Sequence, residues 1–83
     1  MRSRLMPRFY LHLSDGDRIL DEDGMIFDNL DGARNEAVRA ARDIMSDQVR
    51  RGFLSFKDRI EIVGEDGQPL LDLPFREAVR IEE

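Results

Sequence analysis

The sequence predicts a two-layer α+β domain in the order ββαββ, with one amphipathic helix packed on a four-stranded, mostly antiparallel sheet. Three observations predict it. Apolar residues alternate from Phe9 to Leu13. A helical apolar period runs from Leu30 to Val49. A second pair of alternating segments, Ile60 to Val63 and Leu70 to Phe75, turns on Glu65-Asp66-Gly67. Period two marks strands and period 3.6 marks a helix. A lone helix covers one face of such a sheet and leaves the other to solvent or to a partner.

In the first strand Phe9, Leu11 and Leu13 point inward, and Tyr10, His12 and Ser14 point outward. Asp15-Gly16-Asp17 is a turn, because Gly takes positive φ and Asp bonds its own backbone. Arg18-Ile19-Leu20 starts the return strand, Asp21-Glu22-Asp23-Gly24 is a second turn, and Met25-Ile26-Phe27 completes or extends that strand. Asp28 or Asn29 caps the helix, Asp31 suits its dipole, and Gly52 stops it. Leu30, Ala33, Ala37, Val38, Ala40, Ala41, Ile44, Met45 and Val49 form one arc. The four alanines let the helix lie close to the sheet, while Arg34 and Gln48 fall in the apolar arc and must reach its edge. Gly32 is a weak residue for a helix start. Phe53, Leu54 and Phe56 are expected to plug the core beneath the helix end. Ile60 and Ile62, then Leu71, Leu73 and Phe75, face inward. Pro74 and Glu77 end the sheet, and Phe75 to Ile81 can form one short helical turn. If the strands joined by the helix are parallel neighbours, the crossover is right-handed.

The 83 residues make one domain, over residues 6–81, behind a flexible extension of residues 1–5. A chain of this size buries only about 60% of its unfolded surface. It has no Cys, which excludes disulfides and thiolate metal sites, so small size is offset by packing or self-association. The basic start is followed by an apolar run of Phe9 to Leu13 only, too short for a secretory leader, and no stretch has the ~20 apolar residues of a membrane span. A cytoplasmic protein is expected. The net charge of −5 disfavours a phosphate backbone as partner. Between Asp15 and Asp31 the only cation is Arg18, whereas the helix and the segment after it carry Arg34, Arg39, Arg42, Arg50, Arg51, Lys57 and Arg59.

No catalytic group, metal site or cofactor is assigned. His12 is the only side chain that ordinarily titrates near neutrality, and it has no Cys or nearby Ser to activate. The remaining enzyme hypothesis pairs it with an acidic turn residue such as Asp15. Asp15, Asp17, Asp21, Glu22 and Asp23 lack the alternation of a calcium loop, since Ile19 and Leu20 fall where an oxygen ligand and a Gly are needed. They read as solvated turn residues that also blunt a strand edge. The three Asp-Gly pairs read as hairpin turns. Arg39–Asp43 and Asp47–Arg51 have the spacing of helical ion pairs.

Met6-Pro7-Arg8-Phe9-Tyr10-Leu11-His12-Leu13, then Asp15-Gly16-Asp17, Arg59-Ile60-Glu61-Ile62, Glu65-Asp66-Gly67 and Leu73-Pro74-Phe75-Arg76, resemble a family of short uncharacterised alphaproteobacterial proteins of the rhizobial type, grouped as a domain of unknown function. The resemblance covers about residues 6–81 and implies no chemistry. The chain departs from it over Met1–Leu5, which points to an upstream start codon or a flexible extension.

The sequence therefore leads to a small non-enzymatic protein-interaction module whose partner is another protein or a second copy in a homodimer. The expected contact face is the open side of the sheet, with Tyr10, His12, Glu61, Val63 and Leu70, plus Ile26 or its neighbours. The alternative is a nucleic-acid-linked, antitoxin-like regulator that uses Arg39, Arg42 and Arg50 on the helix.

Overall fold

Alternation along Arg8–Ser14 builds β1, and the other strands of the computed structural model assemble around it. The structure describes residues 7–83. The extension expected over residues 1–5, and Met6 of the expected domain, lie outside the described residues. The chain continues through β2 (Arg18–Ile19), β3 (Met25–Ile26), α1 (Leu30–Arg50), β4 (Arg59–Val63) and β5 (Pro69–Pro74), then a short 3-10 turn, Phe75–Ala78. The result is the expected ββαββ fold, with one helix on an open antiparallel sheet of order β2-β1-β4-β5.

The return strand comes as two short pieces, β2 and β3, on the same edge of β1. β2 pairs Ile19 with Leu13, and β3 pairs Met25 with Phe9. Six steps of chain from Ile19 to Met25 thus face four steps of β1, so a continuous strand cannot keep register. The surplus loops out over Leu20–Gly24. The helix then joins β3 to β4, which run parallel but are not neighbours, because β1 lies between them.

Asn29 caps α1, its Oδ1 accepting the Gly32 N–H at 3.0 Å. Gly52 ends it with φ of 94°, a backbone conformation that L side chains rarely adopt. Ala33, Ala37, Ala41 and Met45 form the buried stripe, against Phe9, Ile60, Ile62, Leu73, Phe75 and Ala78. The stripe is small because the sheet supplies the bulk. Phe75 and Leu73 are among the largest side chains fully enclosed.

The helix end departs from expectation. Phe53 and Leu54 are exposed, and of the three expected plugs only Phe56 packs on the core, with Arg76 over its ring at 5.3 Å. The space beneath the helix end holds a polar pair instead. Gln48, expected at the edge of its arc, is buried and donates from Nε2 to the buried Asp58 carboxylate at 3.2 Å. Its Oε1 accepts the Ser55 N–H at 3.0 Å. Its main-chain carbonyl accepts the Phe53 N–H at 3.0 Å. These bonds use residues 53–55 as a cap for the helix and keep their side chains outside.

Candidate interaction surfaces

The alternation of β1 and β4 places Tyr10 opposite Val63 and His12 opposite Glu61, all on the face away from the helix. Asp72 of β5 continues the His12–Glu61 row. Arg18 reaches Glu61 at 2.6 Å, and Arg59 Nε donates to Asp72 at 3.0 Å. Ser14 joins these four side chains around a shallow groove of about 420 Å³. This end of the open face is therefore a ladder of ion pairs.

The other end holds Tyr10, Val63 and Leu70, with a correction. Val63 is only 6% exposed, so it offers little contact surface. It lies at the register shift between β4 and β5, beside the buried Gly64 and opposite Tyr10. Leu70 is exposed, and Tyr10 is half-buried with its ring 6.5 Å from that of His12. Ile26 pairs with Arg8, which alternates with Tyr10 and His12, so its register puts it on the same face at the β3 edge, and it is exposed.

His12 and Asp21 form a reciprocal lock between β1 and the Leu20–Gly24 loop. The Asp21 N–H donates to His12 Nδ1 at 3.0 Å, which places the proton of the neutral imidazole on Nε2. Asp21 Oδ2 accepts the Leu11 N–H at 3.1 Å. Its Oδ1 accepts the amides of Gly24 at 3.0 Å and Asp23 at 3.3 Å. The carboxylate thus supplies the acceptor that a continuous second strand would have given to β1. Partial burial pushes the Asp21 carboxyl up, but the amides of Gly24, Leu11 and Asp23 together outweigh it. The group ends below its ordinary value. Sequence reasoning took Asp21 for a solvated turn residue; the spacing Asp21-x-x-Gly24 was the signal for its side chain closing a turn on its own backbone. The carboxylate beside His12 is thus Asp21, occupied with main-chain amides.

On the helix, Arg39 lies between Glu36 at 2.6 Å and Asp43 at 3.6 Å, and the hydrogen bond and charge of Glu36 hold its guanidinium above the usual value, Asp43 adding to them. Arg51 pairs with Asp47 at 2.8 Å. Both pairs with i,i+4 spacing are formed as the sequence predicts. Arg42 instead donates from Nε to the Ala78 carbonyl at 2.7 Å, and Arg50 leans on Ser46 Oγ at 3.4 Å. Among the described residues neither Arg42 nor Arg50 has a carboxylate partner.

Arg42 marks the surface that sequence reasoning missed. Its bond to Ala78 pins the C-terminal segment against α1. Arg42, Met45, Ser46 and Val49 then face Leu54, Val79 and Ile81 across a groove of about 250 Å³. Val49 is 59% exposed and Ile81 61%, and Phe53 and Leu54 stand beside them. Val49 looked like a core residue because it completes the helical period; the helix outruns the sheet that would have covered it. A second exposed apolar cluster, Ile19, Leu20, Met25 and Ile26, lies along the β2–β3 edge.

These features define a small α+β domain of one helix on an open sheet, with a charged sheet face and two exposed apolar patches. The chain belongs to the family described as a domain of unknown function (DUF6894), whose model matches residues 8–76. No curated protein and no solved structure matched it. Among the described residues, no helix is long and apolar enough to cross a membrane.

Proposed function

We propose that the domain is a small non-enzymatic protein-interaction module, and that its docking surface is the groove between the end of α1 and the C-terminal segment. The observation that carries this reading is the exposure of Val49, Leu54 and Ile81 around one concave apolar surface. Contiguous exposed apolar area on a small domain marks a site of association. The sheet face is the weaker candidate, because covering Arg18–Glu61 and Arg59–Asp72 would cost desolvation of both ion pairs. The nucleic-acid alternative has less support, since Arg39 is already held by two carboxylates and the chain carries −5. A cytoplasmic setting and an alphaproteobacterial source belong to the same proposal; the family-like start at Met6-Pro7-Arg8 supports the latter.

A tagged pull-down from lysate, run with and without nuclease, tests the reading when wild type is compared with Val49→Glu. The expected result is a specific protein that survives nuclease and is lost with Val49→Glu, whose circular dichroism stays that of wild type. Recovery only of nuclease-sensitive material, or capture indifferent to Val49→Glu, would overturn it.

A further inference from the structure

We infer that the occupant of this groove is the β2–β3 edge of a second copy of the same chain, in a head-to-tail contact. The inference rests on the docking reading above and names its partner. Eight of the nine large apolar side chains that stand exposed among the described residues fall into two groups. Ile19, Leu20, Met25 and Ile26 line one edge of the sheet; Val49, Leu54 and Ile81 line the groove, with Phe53 next to Leu54 in the chain; Leu70 stands apart.

Charge divides the same way. Around the edge group, Asp15, Asp17, Glu22 and Asp23 are exposed and have no cation within ion-pair distance among the described residues, because Arg18 is taken by Glu61. At the groove, Asp47 and Asp43 are taken by Arg51 and Arg39, which leaves Arg42 and Arg50 without a carboxylate. One patch is apolar with acids that have no ion-pair partner, Arg8 resting on the Asp23 carbonyl beside them, and the other is apolar with two arginines bonded to a carbonyl and a hydroxyl and not to an acid. Apolar area supplies affinity, and opposite charge fixes orientation and rejects wrong partners.

The two patches cannot meet within one chain. β2 and β3 lie beyond β1 on one edge of the sheet, while the groove is walled by the segment that follows β5 on the other. They meet only between copies. Such a contact is heterologous, so each copy keeps one free patch at either end and growth continues unless the rotation closes a ring. A symmetric dimer through the open sheet face would behave differently, since it uses the same surface twice.

The test is sedimentation equilibrium of wild type, Val49→Glu, Leu20→Lys and an equimolar mixture of the two variants. Wild type should gain weight-average mass continuously between about 10 µM and 1 mM, the range of a modest interface. Each variant alone should remain monomeric, because each lacks one half of the contact. The mixture should form a species of two chains and no larger, through the intact groove of Leu20→Lys and the intact edge of Val49→Glu. Met25→Lys replaces Leu20→Lys if the latter loses its native circular dichroism. A wild type that stays monomeric to about 1 mM overturns the inference, as does a mixture no heavier than its parts, or a single variant that still dimerises. If wild type is monomeric but the pull-down still loses a protein with Val49→Glu, the groove reading stands with another occupant. If both fail, the groove is not a docking site.

Discussion

Replacing Asp21 by Ala removes the group that holds the Leu20–Gly24 loop on β1. Three main-chain amides lose their acceptor: Leu11, Gly24 and Asp23. A hydrogen bond to a charged group contributes about 1.5–3 kcal/mol. Only the Leu11 amide, half-buried on the strand edge, should cost this much; the two turn amides can turn to water. A total near 3 kcal/mol follows, which in a domain of this size lowers Tm by roughly 12–24 °C. The loss depends on pH in a defined direction. The folded carboxyl titrates below its ordinary value of 3.8, so its contribution is complete above the unfolded pKa and disappears as pH falls through the folded value. Urea denaturation of wild type and Asp21→Ala should therefore give curves separated by a constant free energy from about pH 5 to 7, with a separation that narrows as pH falls through the folded carboxyl's lowered value. Asp21→Asn keeps one carbonyl acceptor and should lie between them with little pH dependence of its own. A difference under about 1 kcal/mol at pH 7, or a gap that persists unchanged at pH 2, would refute the lock.

Two further substitutions probe the same physics elsewhere. Gly24→Ala should destabilise by about 2–4 kcal/mol, because φ is +69° and the new Cβ would stand 2.8 Å from the Phe9 carbonyl oxygen and 2.9 Å from the Tyr10 ring; thermal melts check it, and a neutral result contradicts the close approach. Gln48→Leu should cost about 2–4 kcal/mol by leaving the buried Asp58 carboxylate and the Ser55 N–H without their partner, and hydrogen exchange at Ser55 and Phe53 should accelerate with it.

The elements were legible where a period is long. The helix from Leu30 to Arg50, its Asn29 cap and its Gly52 stop follow from a repeat that only one geometry satisfies. The fold class followed from the same repeat between two alternating pairs of strands. The broken return strand was legible as a run of turn residues, Asp21 to Gly24, but its register was not, because register depends on which strand lies opposite. The condition for the crossover rule, parallel neighbours, is not met for that reason: β4 takes the edge of β1 that local patterns leave open. Periodicity misplaced Val49, because a helix's apolar stripe does not say where its sheet ends. It misplaced Phe53 and Leu54, because hydrophobic composition says nothing about the capping bonds that turn them outward. It set Val63 on the correct face but not its burial, because outward alternation does not anticipate a bulge.

The two polar anchors stand in a particular relation to the two apolar patches. Asp21 fixes the loop that carries Leu20 and leads into Met25 and Ile26. Gln48 and Asp58 fix the connection that carries Phe53 and Leu54. In each case a stretch rich in large apolar side chains is kept at the surface by main-chain amides bonded to side chains: those of Leu11, Asp23 and Gly24 to Asp21 and that of Asp21 to His12, and that of Ser55 to Gln48. Apolar residues left to themselves would collapse onto the nearest core; here the directional bonds of an amide outweigh that tendency and hold the patch open. Loss of either anchor should therefore disturb one end of the proposed contact and leave the other usable. Asp21→Ala should lose its edge and keep its groove, so it should still pair with Val49→Glu in an equimolar mixture. Gln48→Leu should lose its groove and keep its edge, and should pair with a chain whose groove is intact, such as Leu20→Lys. Sedimentation of those mixtures reads both anchors through the contact they support, and a Gln48→Leu chain that binds Val49→Glu would break the assignment of Gln48 to the groove.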